Sequence, residues 1–239
     1  MNTGESILRT VRGMLVPIRR EGFPFIGILV FVALFFGWFW QPILWIGLIL
    51  AAWCTYFFRD PPRVTPIDAD IAVSPADGKI VSITVMVAPR ELNLGEQSRR
   101  RVSVAMNLFD CHVNRAPVGG MVARVVYTPG ALVSADFDKN SEGHERNGTV
   151  IDGPHGPVGV VQIAGLVARR IVPFVREGDD LAAGERIGMI RFGSRVDVYL
   201  PFAARVLVAE GQTAIAGETV IARFADAPVT GSPRRVRID

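Results

Sequence analysis

Apolar positions along this chain follow two patterns that change over near residue 59. On the N-terminal side, "FPFIGILVFVALFFGWFW" (23 to 40) and "ILWIGLILAAWCTYFF" (43 to 58) are near-continuous apolar runs divided only by Gln41-Pro42. A membrane-spanning helix needs about 20 apolar residues, so each run is marginal by itself. Together they predict a tight two-helix hairpin or a re-entrant pair broken at Pro42, whose ring removes a backbone donor. Arg9, Arg12, Arg19 and Arg20 precede the first run, and Arg59 and Arg63 follow the second. The positive-inside rule then puts both ends in the cytoplasm, which favours the hairpin over a single pass. A cleaved leader would carry a shorter apolar stretch ending in small residues, and Trp38-Phe39-Trp40 stand there instead. All four tryptophans lie in this segment, and no charge occurs between Glu21 and Arg59, which suits lipid better than a buried soluble helical pair.

Beyond the proline-rich "RDPPRVTP" (59 to 66), short β-patterned runs alternate with Gly and Pro. They predict strands at 80 to 87, 101 to 106, 120 to 127, 149 to 151, 158 to 163 and 167 to 171, and few stretches carry a helical period. "VREGDDLAAGERIGMI" from Val175 aligns with "VAEGQTAIAGETVIARF" from Val208, each copy reading Glu-Gly, five residues, Gly-Glu. Two turns at matched spacing, each feeding a strand, are similar to the two halves of the small β-sandwich of lipoyl and biotinyl carrier domains. Between them lies "IGMIRFGSRVDVYLP" (187 to 201), where a carrier would present its modified lysine. This stretch has no lysine, and Gly193-Ser194 stands at its centre. Taken alone, that pair reads as a bulge or turn.

A mean hydropathy of +0.31 with 49% hydrophobic residues is high for a purely soluble protein and points to contact with lipid. Cys54 and Cys111 offer no spacing for a disulfide framework or a thiolate metal site. Net charge is only +3 and no basic stripe interleaves with aromatics, so nucleic acid is set aside.

Four ordered segments, "SPADGKI" (74 to 80), "LFDCHVNRAPVGG" (108 to 120), "YTPG" (127 to 130) and "FGSRVDVYLP" (192 to 201), resemble the short bacterial form of phosphatidylserine decarboxylase. With the hairpin and "FFRDPPRVTP", the resemblance covers nearly the whole chain. It implies a mainly β (α+β) fold, a small β-sandwich or barrel-sandwich hybrid like lipoyl and biotinyl domains, behind an N-terminal membrane-associated helical hairpin. It also implies a proenzyme that cuts itself between Gly193 and Ser194, leaving chains 1–193 and 194–239 as a heterodimer. Ser194 becomes a pyruvoyl group, and phosphatidylserine is decarboxylated to phosphatidylethanolamine, with the ketone as electron sink. No metal is implied. The expected organisation is a basic cytoplasmic segment (1–22), a membrane hairpin (23–58), the decarboxylase domain (59–226) and a basic tail (227–239). The domain would lie on the cytoplasmic side of a bacterial inner membrane, and the arginines at the hairpin ends would favour an anionic surface. The tail, with Arg205 and Arg223, could add to that attraction or simply be solvated.

Residue chemistry fits these roles. Glycine at 193 leaves room for attack by the Ser194 oxygen, which needs a neighbouring base because a hydroxyl is a weak nucleophile. Of three histidines, His144 and His155 read as solvated loop residues, and His112 lies in a family-matching segment. Asp77 matches the family's acid of the self-cleavage relay. Longer members carry a second histidine where this chain has Arg115, which stays charged and cannot act as a base. The expectation is that His112 serves both self-cleavage and reprotonation, with the division among His112, Asp77 and Asp110 left open. The alternative is a membrane-anchored carrier or adaptor on a lipoyl-like β-sandwich, without catalysis. It explains the repeat and the hairpin but not Ser194 in the lysine's place.

Overall fold

A computed structural model describes residues 16–130, 144–165, 170–191, 194–224 and 235–238, with Ser194, Arg235 and Val236 described by backbone alone. The chain divides into two compact units, Met1–Pro62 and Arg63–Asp239.

The first unit is a helical pair, α1 (Phe23–Gly37) and α2 (Gln41–Phe57). Pro24 and Pro42 sit in the first turns, where a missing N–H costs no helical bond, so Pro42 starts the second helix. Small residues bring the antiparallel helices together: a Cβ on Gly47 would lie 2.4 Å from that of Ala33, and one on Gly37 2.6 Å from that of Leu44. Phe31, Leu34, Trp45, Ile46 and Ile49 remain exposed, so the apolar surface lies outside the helical seam. The open end is tied by the Arg19 N–H donating to the Phe58 carbonyl (2.9 Å) and the Asp60 N–H to that of Pro17 (2.7 Å). Among the described residues, one helical stretch, Arg20–Gly37, is long and apolar enough to cross a membrane.

The second unit is mainly β, so the expected α+β class holds. Its strands are β1 (Val64–Ile67), β2 (Ile71–Val73), β3 (Gly78–Val87), β4 (Ser98–Met106), β5 (Val113–Arg115), β6 (Gly120–Thr128), β7 (Arg146–Gly153) and β8 (Gly156–Ala164). They continue as β9 (Arg170–Pro173), β10 (Asp180–Leu181), β11 (Arg186–Arg191), β12 (Ser194–Leu200), β13 (Arg205–Val206), β14 (Thr213–Ala214), β15 (Val220–Arg223) and β16 (Arg235–Ile238). An eight-stranded sheet in the order β10-β6-β7-β8-β12-β4-β3-β14 curls into a half-barrel. Two three-stranded sheets, β5-β11-β9 and β13-β15-β2, share its core, in which Ile80, Val104, Val122, Val160, Ile187, Val196 and Ile221 are buried.

Read from its two ends, the large sheet repeats itself: β10 answers β14, β6 answers β3, β7 answers β4 and β8 answers β12. The Val175 and Val208 copies each supply one turn of this duplication. Gly178 and Gly211 both have positive φ and donate to the carbonyls of Val122 and Ile80, whose own N–H groups donate back to Asp179 and Gln212; Gly184 and Gly217 donate to Ala116 and Ser74. A second repeat, "SPADGKIVSI" (74 to 83) with "APVGGMVARV" (116 to 125), completes it. Both copies have a bulge after the same position, and a Cβ on Gly78 or Gly120 would lie 2.1 Å from a carbonyl oxygen of the next strand.

One half is continuous from β5 to β11; the other is split between β2–β4 and β12–β15. In the continuous half a tight hairpin at Gly153–Gly156 joins β7 to β8. In the split half the equivalent link from β4 to β12 contains the whole of the other half.

His155 is the exposed turn residue expected, and its Nε2 lies 2.8 Å from Asp70 Oδ1 while its ring stacks on Phe224 at 5.2 Å. One alternative is corrected. The end of the basic tail is not merely solvated, because β16 pairs with β1 and Arg237 donates to the Ala183 carbonyl (3.0 Å).

Candidate functional site

Met106, at the end of β4, sets the site's frame. Ser194 pairs with it on one side, and on the other a Cβ on Gly78 would stand 3.2 Å from its Cα. Strands in a sheet are about 4.8 Å apart, so Gly78, immediately after Asp77, and Ser194 are roughly 10 Å apart across one sheet end. Ser194 also pairs with Ala164 of β8, which makes it the first residue of a central strand. Gly193 and the Ser194 side chain lie outside the described residues.

The chain leaves Met106 through a short crossover. The Asn107 N–H donates to Asp110 Oδ2 (2.7 Å), the Phe109 N–H to Asn107 Oδ1 (2.7 Å) and the Asp110 N–H to the Asn107 carbonyl (3.1 Å). Asp110 thus closes this turn with its side chain. His112 follows, fully buried, and its carbonyl accepts from the Ile190 N–H (3.2 Å) on the strand that leads to Gly193. Its Nδ1 lies 3.0 Å from the Asp110 carbonyl oxygen. A carbonyl can only accept, so Nδ1 carries a proton, and in the uncharged form of the ring the basic lone pair is on Nε2.

Asp77 is held at both carboxylate oxygens. Oδ2 accepts from Arg63 Nη2 at 2.6 Å and Oδ1 from the Ala216 N–H at 2.8 Å, with the Arg63 and Asp77 side chains only 12% and 14% exposed. Burial by itself pulls the Arg63 guanidinium down; Asp77 foremost, then Cys111 and Glu218, outweigh it and hold the group above its ordinary value. On residue type Arg63 had been counted only among the charges flanking the apolar segment. Its spacing from Asp77 carries no signal, because the contact depends on how two distant loops return to one place.

Arg115 is buried in the core, where Nη1 donates to the Gly184 carbonyl (2.8 Å) and its side chain packs against Gly217. It braces the two duplicated turns. A buried amide chain also reaches the site: Asn147 Nδ2 donates to Gln162 Oε1 (3.0 Å), Gln162 Nε2 to Asn114 Oδ1 (2.8 Å), and Asn114 Nδ2 contacts Met106 Sδ (3.6 Å). Nothing in the residue types marked this network, since single amides on strands are common. Arg223 pairs with Asp68 (3.6 Å) and Arg19 with Glu21 (3.4 Å), so part of the basic charge is already neutralised within the protein.

The structure therefore sets Asp77 and the backbone of Ser194 at one end of the large sheet, and His112 on the crossover that leaves that end. A family described as phosphatidylserine decarboxylase matches residues 50–222, well over half of the chain.

Proposed function

We propose, for a chain that belongs to the phosphatidylserine decarboxylase family, that decarboxylation of phosphatidylserine here depends on a pyruvoyl group made from Ser194 by self-cleavage. The observation that carries this reading is the position of Ser194 as the first residue of β12, beside Met106 and the crossover that bears His112. A chain end created there stays anchored, because pairing to β4 and β8 does not depend on the bond before it. The residues therefore fit a group that must be generated at a chain terminus and then held still.

Maturation begins at the Ser194 side chain. The Ser194 hydroxyl oxygen bonds to the Gly193 carbonyl carbon while the Gly193–Ser194 C–N bond breaks, giving an ester. Loss of the Ser194 α-proton expels the Gly193 carboxylate, and the dehydroalanine left on Ser194 takes up water and releases ammonia to give the ketone. His112 Nε2, fixed by the Nδ1 contact, is the base that takes the hydroxyl proton. Asp77, held at both oxygens, supplies a fixed negative charge at the same sheet end.

The mature group supplies a carbonyl that binds the substrate amine and draws electrons as carbon dioxide leaves. His112 then returns a proton to the substrate carbon, and its burial keeps competing water away. The substrate is a lipid, so the apolar hairpin holds the enzyme at the cytoplasmic face of a bacterial inner membrane, where the head group lies. The products of cleavage, 1–193 and 194–239, remain paired because β12 to β15 are built into the same sheets as the first chain.

Ser194→Ala tests the reading. Intact mass under denaturing conditions should show one uncut chain of 239 residues without decarboxylase activity, against two chains in wild type. The smaller wild-type chain should resist Edman sequencing and react with phenylhydrazine. Wild-type protein recovered intact and active, or an active Ser194→Ala chain, would overturn it.

A further inference from the structure

We propose that Arg63 is the positioning residue that holds the Asp77 carboxylate for self-cleavage, an assignment that rests on the serine-derived chemistry above. The contact is short, 2.6 Å, and both side chains are largely buried, so solvent screens the pair little. Together with the Ala216 N–H it fixes both carboxylate oxygens. Asp77 is therefore held in one orientation, beside the strand whose neighbour begins with Ser194.

The duplication shows that this ion pair is not required by the fold. Gly119 occupies the place of Asp77 in the other half: a Cβ there would lie 3.4 Å from the Ala183 N, the counterpart of Ala216. The same turn, with the same left-handed glycine after it, thus forms without a carboxylate or a cation. The asymmetry falls on the half whose strand begins with Ser194. Glu218, whose Oε1 accepts from the Val64 N–H (2.9 Å), and Cys111, the residue before His112, add to the favourable field that Asp77 sets on Arg63.

The test follows cleavage of the full-length chain over time by intact mass. Arg63→Ala and Asp77→Asn should each slow cleavage by roughly tenfold to hundredfold, as expected for a misplaced catalytic-site group. The double variant should be no slower than the slower single one, because both remove the same interaction. Arg63→Lys should cut faster than the similarly sized Arg63→Gln, and added methylguanidinium should speed Arg63→Ala; a purely structural role would give neither rescue. Cleavage of Arg63→Ala at the wild-type rate, or losses that simply add in the double variant, would overturn the assignment. If Arg63→Ala cannot be purified folded, equal rates for the Lys and Gln variants overturn it. A wild-type chain that never cuts sinks both this and the self-cleavage reading, whereas a cutting wild type with an equally fast Arg63→Ala sinks only this one.

Discussion

A buried histidine between two backbone partners is a costly residue to keep unless its ring has work to do. Replacing His112 with alanine should lower turnover per processed chain by roughly hundredfold or more, the range for loss of a general acid–base group. Single-turnover kinetics on whatever fraction has matured checks this, and an unchanged rate removes His112 from the proton transfer. Tyr199 makes a different prediction. Burial first, then the neighbouring Asp197 carboxylate, raise its phenol above the ordinary value, while Arg101 partly opposes them. A raised folded value means that the stability is fully present below the unfolded phenol's value of about 10 and is lost as pH climbs through the folded one. Denaturant midpoints should therefore fall on the alkaline side of pH 10, and Tyr199→Phe should flatten that fall.

At the scale of elements, the matched glycines separate fold from chemistry. Gly78 and Gly120 begin equivalent strands with φ of +143° and +149°, each with a backbone oxygen where a Cβ would go. Alanine at either position should cost about 3 kcal/mol, from left-handed strain and a backbone clash, and thermal unfolding of the two variants should be shifted alike. Self-cleavage should separate them. Gly78 follows Asp77 directly, so its variant should mature far more slowly than the Gly120 one. Equal maturation would mean that the duplicated halves contribute equally to the reaction.

For the molecule as a whole, the boundary at Pro62–Arg63 leaves Asp77, Arg63, His112 and Ser194 in one unit and the exposed apolar helices in the other. Deleting residues 1 to 62 should therefore free the protein from membranes in flotation assays while self-cleavage continues. Tight residual binding to anionic vesicles would show that the hairpin is not the main anchor.

Local chemistry made much of this protein legible in its sequence. The apolar runs, the alternating strands from 80 onward and the Glu-Gly to Gly-Glu turns all follow from interactions within a few residues, and the first two are strong because hydrophobic periodicity is local. The strand ends were less legible: β7 is Arg146–Gly153 where only 149 to 151 had been expected, because Asn147 and Thr149 are polar residues buried by tertiary contacts rather than by pattern. Ser194, His112 and Asp77 stood out in the sequence as expectations carried by motif resemblance. That Ser194 and Gly78, the residue after Asp77, flank one strand end did not, because sequence distance says nothing about which strands adjoin. The second repeat stayed hidden since only its glycines and a few apolar positions are shared, which is all that the equivalent turns and bulges require. Only the tertiary structure decided that one half is inserted into a hairpin of the other, which brings the start of β12 beside Met106 and the crossover that leaves it. It likewise decided that Arg63 faces Asp77 while Arg115 braces a core turn: an arginine's role depends on the carbonyl or carboxylate that desolvation leaves within its reach.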